Sequence, residues 1–278
     1  MSIQKKIVHV FEGGLGDYLR GSLLLAQYAK KNDIYFVMDF SRHPISNYLH
    51  LSSLNSALSG IEVEKITYSD DEKNDVKLDI RIKTFIRSNE ETYLYLYTNL
   101  FYDQTIVTED DKLYINQTIQ FKDEYYEMAK CLSNMEKYKV LHIRCKDEYF
   151  FQSFHSDLLL QEIGKLGLEK NNTIVMSNNY NLKKKIHEIF GFYYIDGKSI
   201  HTRQVNNEKD LVWTIIDYII LSKSEYTYCF SYYEHGSGFS EQCSILHNIP
   251  YRVKILSSEK PKPKPKQNQN PFRKLRFF

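Results

Sequence analysis

The sequence lacks several features that assign a protein to a particular class. No run approaches the roughly 20 apolar residues of a membrane-spanning helix, although 42% of the 278 residues are hydrophobic. The N-terminus has neither the long apolar region nor the small-residue cleavage site of a signal peptide. The four cysteines are widely spaced, without Cys-x-x-Cys. These absences predict a cytoplasmic protein with reduced cysteines, and they argue against a cysteine-bound metal.

Charge is distributed unevenly along the chain. Seven of the 37 basic residues and none of the 35 acidic ones lie in residues 260–278, which leaves a net charge of −5 on residues 1–259. A mildly acidic body argues against a nucleic-acid-binding domain. Lys and Pro alternate over residues 260–266, and the chain ends in Pro-Phe-Arg-Lys-Leu-Arg-Phe-Phe. We therefore predict a flexible basic tail at 259–278, either without a partner or bound peripherally to an anionic membrane; RNA is the remaining alternative.

The first half of the chain opens with a strand, a glycine turn and a helix. Residues 7–11 form an apolar run, and apolar residues at helical spacing follow Gly13-Gly14-Leu15-Gly16-Asp17. Gly14 and Gly16 let the backbone approach a ligand, and the helix N-terminus offers free N–H groups. The turn lacks the Gly-x-Gly-x-x-Gly pattern of dinucleotide-binding folds, and Asp39 is the nearest candidate for their acidic residue.

The remainder of the first half is harder to interpret. The patterns predict strands at 34–38 and 61–66, helices at 44–58 and 122–136, a turn-rich segment at 69–77 and several short β-like runs within 78–119.

The second half alternates strands and helices clearly. The patterns predict strands at 139–144, 173–177, 192–195, 226–230 and 250–253, and helices at 156–166, 182–190, 210–222 and 237–247. Such alternation indicates a parallel sheet. With a less regular first half of similar design, it predicts an α/β protein of two lobes separated by a cleft, with lobes at 1–137 and 138–258.

A His-x-Arg sequence ends the first strand of the second half. His142 and Arg144 are two residues apart, so they point to the same side of the strand. Ligands of open α/β sheets bind at the carboxyl ends of the strands. The guanidinium fork of Arg144 suits two phosphate oxygens, which makes this strand end a candidate anion site.

Three short motifs occur in a familiar order: Gly13-Gly14-Leu15-Gly16, His142-Ile143-Arg144 and Ser237-Gly238-Phe239-Ser240. With this order and spacing the chain resembles the fucosyltransferase superfamily that joins alpha-1,2-, alpha-1,6- and protein O-fucosyltransferases. The resemblance implies a GT-B fold with two Rossmann-like lobes. It also implies inverting transfer of fucose from GDP-fucose to a glycan hydroxyl, without a metal or other cofactor. Asp-x-Asp, typical of cation-dependent nucleotide-sugar sites, does not occur in the sequence.

The resemblance also implies roles for individual residues. Arg144 would stabilise the leaving diphosphate, with His142 in contact with the donor beside it. Asp217 would bind the base or the ribose. The residues implied in donor binding are Gly14, Gly16, His142, Arg144, Ser177, Asn178, Asp217, Ser237, Gly238, Phe239 and Ser240. Ser177-Asn178-Asn179 stands where the family usually has a Ser/Thr-Asp-Asp triplet, so base recognition there differs.

Two acids are candidates for the base that deprotonates the acceptor. A branch of the protein O-fucosyltransferases has a Glu before the glycine turn, which favours Glu12. Heptosyltransferases, another GT-B group, carry a similar turn whose Asp is the base, which favours Asp17. A helix N-cap is the structural alternative for Asp17.

The donor also has alternatives. The Gly-Leu-Gly-Asp turn favours ADP-heptose or another nucleotide sugar, such as a UDP-sugar, whereas His-x-Arg with Ser-Gly-Phe-Ser favours GDP-fucose. A non-catalytic protein of the same fold that binds a nucleotide or sugar is the third hypothesis.

Overall fold

A computed structural model of the chain describes residues 4–10, 13–50, 61–67, 73–145, 153–199 and 208–256. The predicted basic tail at 259–278 lies outside these residues, as does Glu12. The fold contains two sheets, and every strand pairing within them is parallel. This arrangement confirms the α/β architecture expected from the sequence.

The first sheet has four strands in the order β2-β1-β4-β3. Its core includes Ile7 of the central first strand and Leu94 of the fourth, both buried. The elements of this half are β1 (Lys6–Val10), α1 (Leu15–Lys31), β2 (Tyr35–Asp39), β3 (Glu64–Lys65), α2 (Lys73–Arg87), β4 (Tyr93–Tyr97) and α3 (Glu109–Thr118).

The second sheet has five strands in the order β7-β6-β5-β8-β9, so the strand that carries His142 and Arg144 is central. Residues 140–143 of this strand are buried, as expected for a parallel strand covered on both faces. The elements are α4 (Asp123–Ser133), β5 (Lys139–Arg144), α5 (Ser153–Gly164), β6 (Thr173–Ser177), α6 (Tyr180–Phe190), β7 (Tyr193–Tyr194), α7 (Glu208–Ser222), β8 (Tyr226–Ser231), α8 (Gly238–Leu246) and β9 (Tyr251–Ile255). Each strand and helix expected in this half occurs, with ends shifted by up to three residues.

The first half departs from the sequence prediction. Residues 73–77 of the segment expected to be turn-rich belong to α2, while residues 69–72 lie outside the described part of the chain. The region expected to be β-like contains the rest of α2, and α3, besides β4. In α2, Leu78, Ile82 and Phe85 are buried at helical spacing, but Val76 and Ile80 are 57% exposed. Because apolar residues lie on both faces of α2, its sequence does not show the 3.6-residue hydrophobic period of an amphipathic helix.

The helix expected at 44–58 is also wrong as far as the structure describes it. Residues Pro44–Tyr48 form one 3₁₀ turn, and Leu49 then pairs with Phe121 as an antiparallel bridge. Residues 51–60 lie outside the described part of the chain. The strand expected at 61–66 is reduced to Glu64–Lys65.

The two sheets are joined by packed helices. α1 and α3 of the first half both pack against α8 of the second half. Hydrogen bonds cross the same junction, from Tyr102 Oη to Gln242 Oε1 at 2.9 Å and from Asn116 Nδ2 to the Leu246 carbonyl at 2.9 Å. The division at residues 137 and 138 stays a prediction, but these contacts fix the position of α1 relative to α8.

Candidate active site

A cavity of about 260 Å³ lies between the sheets, where the glycine turn of the first half faces the strand ends of the second. Eleven of the predicted site residues line it: Gly14, Gly16, Asp17, His142, Arg144, Ser177, Asn178, Asp217, Ser237, Gly238 and Phe239. The structure therefore brings together residues that are more than 200 positions apart in sequence.

Two helix N-termini meet at this cavity. Gly14 precedes α1 and Ser237 precedes α8, and neither helix has a side-chain cap. The approach is very close, because a β-carbon added to Gly16 would lie 2.3 Å from the backbone carbonyl carbon of Gly238. Uncapped N–H groups and two helix dipoles make this junction favourable for an anion.

His142 is buried and neutral in its surroundings. Its Nδ1 lies 2.9 Å from Ser240 Oγ, and its ring lies beside that of Phe239. Burial lowers the pKa of His142 to about 3, with a further contribution from the positive charge of Arg144. Ser240 is fully buried, contacts His142 and does not line the cavity, so its predicted contact with the donor stays a prediction.

Arg144 is the last residue of β5 and is partly exposed at the cavity. Its guanidinium carbon lies 5.2 Å from the centre of the Tyr233 ring, a cation–π contact. Within the described residues no carboxylate forms an ion pair with Arg144. Its positive charge is thus directed towards the same cavity as the helix N-termini.

Asp17 lies in the first turn of α1, with about a third of its side chain exposed. Its Oδ1 accepts a hydrogen bond of 2.9 Å from Arg20 Nη2. The N-cap of α1 is Gly14, so the alternative in which Asp17 caps the helix is wrong. Arg20 therefore holds the Asp17 carboxylate in place at the cavity wall.

Asp217 is a buried carboxylate in the wall of the same cavity. It accepts a hydrogen bond from the Ser199 hydroxyl and faces the positive charge of Lys183, which is 1% exposed. Burial raises the pKa of Asp217, and the charge of Lys183 and the Ser199 hydrogen bond oppose that rise. Lys183 Nζ also donates to the Gly197 carbonyl at 2.6 Å, which ties the segment after β7 to α6.

Asn178 lines the cavity, but its side chain is already engaged. Its Oδ1 accepts a hydrogen bond of 2.8 Å from the backbone N–H of Cys145, and its Nδ2 donates to the carbonyl of the same residue at 3.0 Å. The amide thus joins the ends of β5 and β6. Ser177 Oγ accepts from the Asn179 N–H at 3.1 Å, and Asn179 is the N-cap of α6.

Ser237 provides an unsatisfied polar atom beside the cavity. Its Oγ is buried, and within the described part of the chain it has no hydrogen-bond partner. A buried hydroxyl without a partner costs about 1–3 kcal/mol, which a ligand oxygen here would offset.

The cavity also contains residues that the sequence did not single out. Tyr233 and His235 follow β8 and belong to none of the three short motifs. The further lining residues are Leu15, Ser199, Thr214, Tyr233, His235 and Gly236. Among the described residues no group of three or more His, Cys, Asp or Glu side chains is placed to hold a metal, and none of the described helices is both long and apolar enough to cross a membrane.

The comparison with known proteins rests on structure, since neither a protein-family model nor a curated protein matches the sequence. NodZ alpha-1,6-fucosyltransferase with GDP matches with a TM-score of 0.58 at 10% identity, over 91% of this chain and 94% of NodZ. NodZ soaked with GDP-fucose gives 0.56 at 10%, over 94% and 97%. A mutant of Arabidopsis thaliana FUT1 with GDP gives 0.55 at 13%, over 90% and 70%.

The chain has the fold of these fucosyltransferases. The GT-B architecture expected from the three short motifs is therefore confirmed, and so is the resemblance at the level of the fold. Because one fold supports many reactions, the chemistry has to be argued from the side chains in the cavity.

Proposed function

We propose that this fucosyltransferase-like chain is an inverting, metal-independent glycosyltransferase that transfers a sugar, fucose from GDP-fucose, to a glycan hydroxyl. The observation that carries the proposal is the junction of two uncapped helix N-termini with Arg144 in one cavity. This junction suits a diphosphate, and the NodZ and FUT1 structures of the same fold contain GDP or were soaked with GDP-fucose.

The proposed reaction is a single displacement. The acceptor hydroxyl gives its proton to a carboxylate, and its oxygen forms a bond to the anomeric carbon of the donor. The bond from that carbon to the diphosphate oxygen breaks, and the electron pair leaves with GDP. Negative charge grows on the diphosphate, so Arg144 and the N–H groups of α8 stabilise the transition state more than the ground state.

Asp17 and Glu12 remain the two candidates for the proton acceptor. Asp17 lines the cavity with one oxygen held by Arg20, which supports its candidacy. Asp217, Thr214 and Ser199, which also line the cavity, offer hydroxyl and carboxylate groups to a base or ribose. The hydroxyl of Ser237 supplies a further donor for the phosphates.

The test is a thermal-shift panel of the purified protein with GDP, UDP, ADP, CMP and their common sugars. A ligand at 100 times its dissociation constant stabilises the folded state by about 2.7 kcal/mol, which raises the melting temperature visibly. GDP and GDP-fucose should raise it, and Arg144→Ala should diminish that rise while Arg252→Ala on exposed β9 should not. If only ADP- or UDP-sugars raise the melting temperature, GDP-fucose is not the donor. The alternative donor suggested by the Gly-Leu-Gly-Asp turn would then replace it.

For the location in the cell, we propose a cytoplasmic protein whose residues 260–278 attach it to an anionic membrane. The support is the sequence: seven basic residues, no acidic ones and terminal aromatics. Each basic residue near such a surface contributes about 1 kcal/mol. Removal of residues 260–278 should abolish co-sedimentation with phosphatidylserine vesicles without affecting GDP binding, and unchanged co-sedimentation would contradict the proposal.

A further inference from the structure

The connection from β8 to α8 begins directly beside Arg144. Ser231, the last residue of β8, pairs with Arg144 in the parallel register of the two strands. The N–H of Tyr232 then donates to the Arg144 carbonyl at 3.0 Å, and the next residue, Tyr233, lines the cavity. This connection therefore brings the Tyr233 side chain to the strand end that carries the guanidinium of Arg144.

A single hydroxyl fixes the backbone of this connection. The buried Ser231 Oγ accepts a hydrogen bond of 3.0 Å from the Tyr233 N–H and donates one of 2.9 Å to the Gly236 carbonyl. The N–H of Gly236 donates in turn to the Tyr233 carbonyl at 3.1 Å. Gly236 has a φ of 77°, which glycine adopts at little cost. Both backbone polar groups of Tyr233 are thus engaged, so its position beside Arg144 is well defined.

The Tyr233 ring is the protein group that contacts the guanidinium. The guanidinium carbon of Arg144 lies 5.2 Å from the ring centre, and both side chains line the cavity. Among the described residues, the Arg144 side chain forms no ion pair and donates no hydrogen bond to a protein oxygen. An aromatic face orients an arginine through its quadrupole and carries no net charge. A carboxylate would orient it as well, but it would compete with a diphosphate for the same N–H groups.

We propose that Tyr233 is a positioning residue for Arg144, which holds the guanidinium in the orientation that binds the donor diphosphate and leaves its charge unneutralised. The inference rests on the proposed function, because it explains how the group assigned to the leaving diphosphate is oriented. Tyr233 acts through Arg144, so its ring contributes to the binding of the phosphates and not of the nucleoside. For the same reason its contribution disappears once Arg144 is removed.

The experiment measures the dissociation constants of GDP and of guanosine, which has no phosphate, by calorimetry on the full chain and its variants. Tyr233→Leu should weaken GDP binding about fivefold, the loss expected for one cation–π contact, with guanosine binding unchanged. Tyr233→Phe keeps the ring and should stay within about twofold of the wild type. Arg144→Ala and the double variant Arg144→Ala/Tyr233→Leu should bind GDP equally, because the ring then has no guanidinium to orient.

Tyr93→Leu is the matched control. Tyr93 is the first residue of β4, does not line the cavity, and has Lys6 Nζ 5.5 Å from its ring centre. It therefore reproduces a tyrosine ring beside a cation away from the site, and its loss should leave the dissociation constants of GDP and guanosine unchanged.

The outcomes separate this inference from the proposal on which it rests. A wild-type chain that does not bind GDP would overturn both. If the wild type binds GDP and Tyr233→Leu binds it equally well, the positioning role is overturned and donor binding stays in place. Equal weakening of guanosine and GDP binding would place the ring against the nucleoside, and additive losses in the double variant would show that it acts independently of Arg144; either result overturns the role. A loss in Tyr233→Phe as large as in Tyr233→Leu would assign the effect to the hydroxyl and overturn the role of the ring.

Discussion

Gly16 and Gly238 hold the two halves of the chain together at the cavity through backbone contact. A β-carbon on Gly16 would lie 2.3 Å from both the Gly238 carbonyl carbon and the Phe239 nitrogen. The same addition at Gly238 would meet Gly16 only at 3.6 Å, an ordinary contact. A side chain at position 16 would therefore clash with the backbone of α8, whereas a β-carbon at position 238 would fit without a clash.

The first prediction follows from this asymmetry. Gly16→Ala must separate α1 from α8, and overpacking of this kind costs about 1–3 kcal/mol. We expect a lower melting temperature and weaker GDP binding, because the two helix N-termini move apart. Gly238→Ala should change the free energy of unfolding by less than about 0.5 kcal/mol, as is usual where no contact is strained. Equal effects of the two variants, measured by urea unfolding, would contradict this account of the junction.

The second prediction concerns the buried charge behind Asp217. Lys183→Met removes the cation that opposes the raised pKa of Asp217, and loss of one partner of a buried pair costs about 3–5 kcal/mol. Without Lys183 the folded-state pKa of Asp217 rises further. A carboxyl whose pKa is raised by folding loses stability as the pH increases, so the destabilisation should be larger at pH 8 than at pH 5.

Lys184→Met on the same helix is the control, because the Lys184 side chain is exposed. It should leave stability within about 0.5 kcal/mol of the wild type at both pH values. If chemical denaturation shows the same loss in the free energy of unfolding for Lys183→Met and Lys184→Met, then Lys183 does not stabilise the charged form of Asp217.

The third prediction is a pH dependence of folding. Burial lowers the pKa of both His142 and His9 to about 3 in the folded chain, against 6.5 for an unperturbed histidine. Between these values the unfolded chain binds protons that the folded chain does not, so stability falls as the pH drops below 6.5. Each such histidine contributes a slope of about 1.4 kcal/mol per pH unit.

His142→Gln should therefore reduce the slope of unfolding free energy against pH between 5 and 6, measured by urea titration at several pH values. His9→Gln should reduce it by a similar amount, although His9 lies in the first sheet with its Nδ1 2.9 Å from Ser22 Oγ. Curves for the variants that run parallel to the wild type would show that these rings are protonated in the folded chain.

The sequence predicted the second half of the fold better than the first for a physical reason. Strands such as β5 and β6 are buried on both faces and consist of unbroken apolar runs, and α7, which precedes β8, is apolar enough to be recognised. In the first half, Val76 and Ile80 of α2 are exposed, so neither the hydrophobic period of a helix nor that of a strand dominates its sequence. The start of α3 does carry a sequence signal, because Thr108 and Asp111 form a capping box.

The candidate site could be predicted only where a motif is local. Gly14, Gly16, Arg144 and the segment after Ser237 belong to short patterns, and the structure places them at one cavity. Lys183 interacts with Asp217 although the two residues are 34 positions apart in sequence. No local sequence pattern indicates this contact. The double hydrogen bond of Asn178 to Cys145 likewise depends on which strands are neighbours, which only the fold determines.

The fourth prediction tests the role of Arg144 in chemistry. Arg144→Ala should lower kcat for transfer from GDP-fucose by about 10²–10³, since a positioned charge on the leaving group acts mainly in the transition state. Arg144→Lys should restore only part of the rate because an ammonium cannot bind two phosphate oxygens as a fork does. The melting temperature of both variants should stay close to that of the wild type, and a variant with wild-type kcat would exclude the role.

The fifth prediction separates the two candidate bases. Asn at position 17 keeps an oxygen for the hydrogen bond from Arg20 but cannot take up a proton, so Asp17→Asn leaves the geometry of the turn intact. If Asp17 is the base, kcat falls by about 10²–10⁴ and GDP affinity does not change.

Glu12→Gln is the matched comparison, and the two variants assign the role by exclusion. A large loss of kcat in Glu12→Gln with near wild-type kcat in Asp17→Asn would make Glu12 the base. Asp17 would then serve to hold Arg20 through a hydrogen bond that Asn keeps, so Asp17→Asn should leave both kcat and the acceptor KM near their wild-type values. The kcat values of the two variants therefore decide whether Asp17 accepts the proton or only holds Arg20.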